Sequence, residues 1–211
     1  MRNPKLPLVF SAVALAVGLG VSASADVTKP APETKSLQNL QTAYDGESNA
    51  HARYLAFAKK ADDEGHGTVA QLFRAAARAE EIHAANHAVV IKKLNAVPKA
   101  DVKAPEVKST PENLKAAIAG ETYERDTMYP GFIKQARVEN NRDALQTFTY
   151  AKTAEAEHAT LYGDALKNLA SWKGAKKTFY VCTVCGYTTT NLNFEKCVSC
   201  FNPKEKYVVV G

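Results

Sequence analysis

The sequence predicts a mainly α-helical protein, in which a bundle of four long helices is followed by a small C-terminal metal-binding module. Three observations support this prediction. Four amphipathic segments are separated by turn residues, an internal repeat carries acids and histidines, and all four cysteines lie near the C-terminus. The chain has 211 residues, of which 45% are hydrophobic and 23% are charged, as expected for a globular protein.

The first 25 residues have the features of a secretory signal peptide. Arg2 and Lys5 precede a continuous apolar run that ends at Val21, and an Ala-Ser-Ala stretch then suits cleavage before Asp26. The alternative is an uncleaved membrane anchor, but the run is shorter than the roughly 20 apolar residues that a spanning helix needs.

We therefore expect an exported protein, located in the periplasm, with a polar lead-in at residues 26–35 after the signal peptide at 1–25. Cleavage removes two positive charges and no acid, so the net charge falls from +5 to +3. This charge is too small to indicate nucleic acid as a partner.

The predicted bundle covers residues 36–172 and consists of two helical hairpins. Glycines at 65 and 67 end the first helix, and Ser109 or Thr110 caps the third, with Glu112 placed for a capping box. The stretch AVPKADVKAPEVKSTP lacks helical periodicity and predicts a long crossover between the hairpins. Two hairpins with one crossover predict a ferritin-like four-helix bundle. The four helices are expected over 36–64, 68–95, from 109 or 110 to the ENNRD turn, and from that turn to near Trp172.

An internal repeat places the same acid and the same imidazole on two helices. QLFRAAARAEEIHA at 71–84 aligns without a gap with QTFTYAKTAEAEHA at 146–159. Each copy ends in Glu-x-x-His, and residues three apart lie on one helix face, where both side chains can bind one metal ion. The two pairs are Glu80 with His83 and Glu155 with His158.

In each hairpin, the other helix contains a Gly-Glu pair. This pair supplies Glu47 in the first hairpin and Glu121 in the second. One Glu from each of two helices, with Glu-x-x-His from the other two, is the ligand pattern of di-iron carboxylate bundles. A single Glu-x-x-His step would more simply be part of a solvated helix surface. Two copies at equivalent positions along two helices predict a bimetallic site, because buried carboxylates need compensating cations.

The repeat also contains one extra residue. The halves match at an offset of 75 around Tyr54 and Tyr129 but at 74 around Glu47 and Glu121, so an insertion lies between Glu121 and Tyr129. A helix usually absorbs such an insertion as a π-bulge, and π-bulges are frequent at functional sites. A further acid, Glu124, lies within this stretch.

The four cysteines form two Cys-x-x-Cys pairs separated by eleven residues. This spacing predicts a tetrahedral thiolate site for one iron or zinc ion, and two disulfides are the alternative. A module of residues 178–211 is too short to be stable through its core alone and needs a metal or a disulfide. Residues 173–177 would be its linker. The cysteines are Cys182, Cys185, Cys197 and Cys200.

Over residues 36–211 the chain resembles the rubrerythrin family. The resemblance rests on GES around Glu47, EEIH, GETYERDTMYP, EAEH and the paired Cys-x-x-Cys motifs, in the family's order. It implies a non-haem di-iron centre, a rubredoxin-like C-terminal domain with iron on four cysteines, and reduction of hydrogen peroxide to water. It further implies a one-electron donor protein and a homodimer that brings one subunit's four-cysteine site to the other's di-iron site.

The resemblance also assigns roles to individual residues. His83 would be an alternate ligand that replaces Glu124 on one iron when the centre is reduced. Tyr54 and Tyr129 would hydrogen-bond ligand carboxylates. The implied di-iron ligands are Glu47, Glu80, Glu121, Glu124, Glu155 and His158.

Several alternatives stay open at this stage. Val198 and Phe201 stand where rubredoxin-like knuckles usually have Pro and a small residue, so the sequence does not decide between iron and zinc. The alternative function is a ferroxidase or iron-sequestering protein with a structural zinc tail. A zinc-knuckle scaffold for a partner would leave the bundle glutamates without a role. We assign no ligand role to the other histidines, His51, His66 and His87.

Overall fold

The computed structural model describes Met1 and residues 34–210. The predicted signal peptide and most of the polar lead-in lie outside the described residues. Among the helices that are described, none combines the length and the apolar character needed to cross a membrane.

The structure confirms a mainly α fold with a four-helix bundle. The third bundle helix has three parts, namely α3, a π-helical turn and α4, and a short helix α6 follows the fourth bundle helix, α5. A break at Asn168 therefore interrupts the segment that the sequence predicts as continuous to Trp172. The helices are α1 (Lys35–Asp63), α2 (Gly67–Lys93), α3 (Thr110–Tyr123), the π-turn (Glu124–Met128), α4 (Tyr129–Val138), α5 (Arg142–Lys167) and α6 (Leu169–Trp172).

Two repeat-related glutamates tie the two hairpins together. The Glu64 carboxylate, at the end of α1, accepts hydrogen bonds from the Thr110 backbone N–H at 2.8 Å and from the Thr110 hydroxyl at 2.6 Å. The Glu139 carboxylate, at the end of α4, accepts from the N–H groups of Lys35 and Ser36 at 3.0 and 2.9 Å. Each hairpin therefore supplies an acid to the helix N-terminus of the other, where orphan N–H donors and the helix dipole favour a negative charge.

The π-turn lies where the repeat predicts an inserted residue, between Glu121 and Tyr129. The Tyr129 N–H donates to the carbonyl of Glu124, five residues earlier, whereas an α-helix pairs residues four apart. The wider turn absorbs the insertion, and α4 continues after it with Tyr129 and Ala136 buried in the bundle. The predicted π-bulge is confirmed.

The C-terminal module is a three-stranded antiparallel sheet in the order β2-β1-β3. Phe179 and Val181 of the central strand belong to the same hydrophobic core as Phe73 and Trp172 of the helical part. Strands β1 and β3 pack against α2, and β2 packs against α5. The module is therefore packed on the bundle of its own chain. The strands are β1 (Phe179–Cys182), β2 (Thr188–Thr189) and β3 (Tyr207–Val210).

We expect Phe179→Ala to destabilise the helical bundle as well as the sheet. Phe179 is fully buried, and truncation of such a ring costs about 3–5 kcal/mol. The matched control is Val209→Ala on the same sheet, where the side chain is 65% exposed and a change within about 0.5 kcal/mol is expected. Thermal unfolding followed by helical circular dichroism measures both effects. An unchanged helical transition in Phe179→Ala would show that the module and the bundle unfold independently.

Candidate metal centre

Six buried side chains from four bundle helices converge on one site inside the bundle. They form two groups whose ligand atoms lie within 4.8 Å of one another: Glu47, Glu80, His83 and Glu155, and then Glu80, Glu121, Glu155 and His158. Glu80 and Glu155 belong to both groups. The arrangement therefore contains two four-ligand positions that share two carboxylates.

The two shared carboxylates are oriented as bridges. Glu80 directs Oε2 to His83 Nδ1 at 2.9 Å and Oε1 to His158 Nδ1 at 3.4 Å. Glu155 directs Oε1 to His83 Nδ1 at 3.1 Å and Oε2 to His158 Nδ1 at 3.0 Å. Each carboxylate thus offers one oxygen to each half of the site, which is the geometry needed to bridge two cations.

Several ligand atoms of this cluster are buried and form no hydrogen bond of regular geometry, although some lie 3.0–3.4 Å from an imidazole nitrogen. A buried polar atom without a partner usually costs about 1–3 kcal/mol, so native proteins rarely leave several together. These atoms have the chemistry of ligands for iron or zinc, namely carboxylate oxygens and an imidazole nitrogen. They are Glu47 Oε2, Glu80 Oε1, Glu121 Oε2, both oxygens of Glu155, and His158 Nδ1. The residues present therefore fit a two-metal centre.

The electrostatics of the metal-free cluster indicate the same need for cations. Burial raises the pKa of Glu121 to about 8 and, together with Glu80, holds the pKa of Glu47 well above its usual range. Burial opposes the charge of His83 and His158, but the surrounding glutamates outweigh it and raise both pKa values. Protons here provide the positive charge that bound metal ions would otherwise supply.

Two tyrosines hold the outer glutamates of the cluster. The Tyr54 hydroxyl donates to Glu121 Oε1 at 2.5 Å, and the Tyr129 hydroxyl donates to Glu47 Oε1. The structure thus contains both hydrogen bonds that the family resemblance implies. Each bond leaves the second oxygen of its carboxylate directed towards the cluster.

The C-terminal module contacts both imidazoles from outside the cluster. His83 Nε2 lies 3.1 Å from the backbone carbonyl of Cys185, and His158 Nε2 lies 2.9 Å from the Thr188 hydroxyl. That hydroxyl donates its own proton to the Gly186 carbonyl, at 3.2 Å, so it accepts from His158. Both imidazoles therefore carry a proton on Nε2 and direct Nδ1 into the cluster.

Gly186 permits this close contact. Its φ is +77°, and a Cβ at this position would lie 2.3 Å from His83 Nε2. Any other residue would therefore have to displace the His83 imidazole or move the module away from the bundle. Gly186 therefore permits both the turn after Cys185 and the close contact between the module and the bundle.

Glu124 lies at the edge of the site. It occupies the first position of the π-turn and is half-buried, and it belongs to neither four-ligand group. Burial and the nearby Glu121 raise its pKa well above the usual range. The structure therefore places His83 in the cluster and Glu124 beside it.

The four cysteines form a second, separate cluster, and all four are free thiols. Their sulfur atoms lie within 4.8 Å of one another, which fits one tetrahedral metal ion and leaves no disulfide in this structure. The Tyr207 hydroxyl donates to Cys197 Sγ at 3.0 Å. The residue after each Cys-x-x-Cys pair has a positive φ, +77° at Gly186 and +59° at Phe201, so Phe201 adopts the backbone conformation that a small residue usually provides.

Sequence reasoning missed two residues that contact the site. Thr188 carries no motif, and only its position three residues after Cys185 could have suggested that it faces the bundle. His87 was given no ligand role, yet it is fully buried and hydrogen-bonded to Tyr129. Its spacing of four from His83 and seven from Glu80, on one helix face, was the available signal. His51 also faces inward, with Nδ1 2.7 Å from the Ala77 carbonyl.

Comparison with known proteins supports the fold and the family resemblance described above. The rubrerythrin family model matches residues 38–166. Nigerythrin from Nitratidesulfovibrio vulgaris is 41% identical over 172 residues, which cover 81% of this chain and 84% of the relative. Rubrerythrin-2 from Clostridium acetobutylicum is 38% identical over 171 residues, which cover 80% and 92% respectively. The solved structure of nigerythrin in its fully reduced, all-ferrous state aligns with a TM-score of 0.78 and 35% identity, covering 94% of this chain and all of that one.

We expect Thr188→Val to weaken divalent metal binding in the bundle by about 10- to 100-fold, the usual effect of losing a partner that orients a ligand histidine. Thr188→Ser keeps the hydroxyl and should bind like the parent. The control is Thr189→Val, because the Thr189 hydroxyl interacts with Asn191 and not with the cluster. Titration of the metal-free protein with Co²⁺ or Zn²⁺ measures the affinities. Equal affinities for Thr188→Val and Thr189→Val would contradict this role.

Proposed function

The chain belongs to the rubrerythrin family, and from this membership we propose that it is a non-haem di-iron peroxidase that reduces hydrogen peroxide to water. The observation that carries the proposal is the pair of bridging carboxylates, Glu80 and Glu155, each of which faces both imidazoles. In the proposal, the ligands of the iron pair are Glu47, Glu80, Glu121, Glu155, His158 and either His83 or Glu124.

The charges of the site agree with a pair of divalent ions. The two four-ligand groups contain four different glutamates, which carry four negative charges when ionised, and their imidazoles are neutral when bound to metal. Two divalent cations neutralise this set. The bound iron would supply the two electrons that peroxide reduction consumes, and a four-cysteine iron would return them one at a time.

The protein's own groups position the reaction. Tyr54 and Tyr129 hold Glu121 and Glu47 by hydrogen bonds, so each carboxylate keeps one orientation while charge changes beside it. The six side chains of the cluster are at most 1% exposed, so bulk water is excluded. In such a site, oriented dipoles and charges act more strongly than they would in water.

The contact between the two clusters supports electron delivery by the C-terminal module. Cys185 carries one of the four thiols, and its carbonyl accepts the Nε2 proton of His83 at 3.1 Å. One hydrogen bond thus joins a residue of the thiol site to a residue of the bundle site within a single chain. This route within one chain differs from the route between two subunits that the resemblance implies. A homodimer and a donor protein stay part of the proposal, and the donor would have to reach the exposed side of this module.

The alternative, a ferroxidase with a structural zinc tail, makes a different spectroscopic prediction. Ferric iron on four thiolates absorbs visible light, whereas zinc does not. A metal count with an absorption spectrum of protein matured in its natural compartment therefore separates the two functions. Zinc as the sole metal on the cysteines would favour the alternative.

We also propose that the protein acts after export to the periplasm. This proposal rests on the N-terminal sequence alone, with its basic start, apolar run and Ala-Ser-Ala cleavage site. N-terminal sequencing of the protein from the periplasmic fraction would test it. A chain that begins at Asp26 supports cleavage, and an intact N-terminus in the membrane fraction supports an anchor.

For the metal centre, we expect Glu80→Ala to lower bundle iron from two ions per chain and to abolish peroxide turnover, because it removes a carboxylate shared by both positions. Glu81→Ala is the matched control, since Glu81 is exposed and pairs with Arg78 on the surface. Iron analysis and peroxide consumption measure the two effects. Full iron content in Glu80→Ala would refute the assignment.

For the π-turn, we expect Glu124→Ala still to bind iron through His83, with the reduced state favoured and turnover slowed. The reason is that a carboxylate favours ferric iron, whereas a neutral imidazole suits ferrous iron. Asp126→Ala is the control, because Asp126 lies in the same turn but pairs with Arg125 at the surface. Turnover of Glu124→Ala at the parent rate would show that Glu124 has no part in the cycle.

A further inference from the structure

His87 is a buried histidine that the proposed metal chemistry does not use. It lies on α2 and is fully buried against Phe148 and Tyr129. Both of its ring nitrogens are hydrogen-bonded. Nε2 lies 3.1 Å from the Tyr129 hydroxyl, and Nδ1 lies 3.0 Å from the Thr147 hydroxyl.

The direction of each hydrogen bond in this chain can be assigned. Tyr129 has one hydroxyl proton and donates it to Glu47, so its oxygen accepts from His87 Nε2–H. His87 is fully buried and its two hydrogen-bond partners are neutral hydroxyls, which favours the neutral imidazole with its single proton on Nε2, and burial correspondingly lowers its pKa. His87 Nδ1 therefore accepts from the Thr147 hydroxyl. Every donor in the sequence Thr147, His87, Tyr129 points inward, towards Glu47.

The outer end of the chain reaches a cavity. Thr147 is 5% exposed and lines a cavity of about 120 Å³ with Asn86, Lys93, Asp143, Gln146 and Tyr150. This volume is well above the roughly 10–15 Å³ that one water molecule needs. The side chains of Lys93 and Asp143 are 58% and 49% exposed, so the cavity is open to solvent.

The other half of the repeat has no such chain. At the offset of 75, His87 corresponds to Tyr162 and Thr147 corresponds to Leu72. The Tyr162 hydroxyl is buried without a hydrogen-bond partner among the described residues, and Leu72 cannot form hydrogen bonds through its side chain. The polar path is therefore present in one half of the pseudo-symmetric bundle and interrupted in the other, although both halves carry the tyrosine next to the cluster.

We propose that Thr147, His87 and Tyr129 form a proton-uptake path from this solvent-accessible cavity to the metal centre. Reduction of one hydrogen peroxide by two electrons takes up two protons and yields two waters, so a site closed to bulk water needs such a path. In each transfer, Tyr129 passes its hydroxyl proton to the Glu47 carboxylate, His87 passes the Nε2 proton to Tyr129, and Thr147 passes its proton to His87 Nδ1. Water in the cavity then restores the proton of Thr147.

The path requires no change in the resting protonation state of His87. The imidazole and the hydroxyls reorient before the next proton passes, so protons arrive one at a time. The inference rests on the proposed function for the use of these protons. The hydrogen-bond chain itself can be tested without metal.

The first experiment is ¹⁵N NMR of histidine-labelled, metal-free protein at neutral pH. We expect His87 to be neutral with its proton on Nε2, and Thr147→Val to shift the Nδ1 resonance. Thr149→Val is the matched control, because the Thr149 hydroxyl is exposed and donates to the Leu145 carbonyl of its own helix. A proton on Nδ1, or no change in Thr147→Val, would overturn the chain.

The second experiment follows one reaction of the chemically reduced, iron-loaded protein with peroxide. We expect Thr147→Val and His87→Phe to slow this reaction by at least about 10-fold at unchanged iron content, and added imidazole to restore the rate of His87→Ala. Tyr162→Phe, which removes the corresponding hydroxyl from the other half, should react like the parent. Parent-like rates in both path variants, or equal losses in Tyr162→Phe, would overturn the proposal. If the parent itself does not reduce peroxide, the proposed function fails, and the NMR measurement still decides the hydrogen-bond chain.

Discussion

The structure depends on the burial of several carboxylates in the centre of a helical bundle. Each isolated charge in such a place costs several kcal/mol, a large part of the total stability of a protein of this size. The cluster is tolerable only with compensating positive charge, which comes from imidazolium groups in the metal-free protein and from cations in the proposed holoprotein. Alanines on the central faces of α2 and α5, such as Ala76 and Ala151, leave room for the ligands.

The C-terminal module completes this site. Its β1 strand shares the bundle's hydrophobic core, and two of its residues, Cys185 and Thr188, orient the two histidines. The packing of β1 on the bundle therefore also holds Cys185 and Thr188 against the two imidazoles, and these contacts determine which ring nitrogen carries the proton. The metal ion proposed for the cysteines would in this way be linked to the geometry of the bundle site.

Asymmetry gives the two halves of the repeat different chemistry. The repeat supplies equivalent ligands twice, and the caps formed by Glu64 and Glu139 show that the backbone keeps the same symmetry at its ends. The π-turn breaks this symmetry beside one position of the centre and places Glu124 there. The pair His87 and Thr147 breaks it a second time, through the hydrogen bond of His87 to Tyr129, the residue that follows the π-turn. A symmetric bundle could hold two ions, but the two ions would have identical surroundings.

The sequence by itself determined the helical elements of this protein and the residues that meet in its central cluster. Helical periodicity and turn residues predicted the bundle, the spacing of Glu80 and His83 predicted a shared face, and the 75-to-74 change of offset predicted the π-turn, because all of these are local properties of the chain. Tertiary structure alone decided which oxygen of Glu155 faces which imidazole, that Thr188 contacts His158, and that His87 lies between Tyr129 and Thr147. The contacts of Glu155 with His83, of Thr188 with His158 and of His87 with its two partners join residues 30 to 72 positions apart. They follow from the packing of the helices and the sheet, for which a single sequence carries no periodic signal.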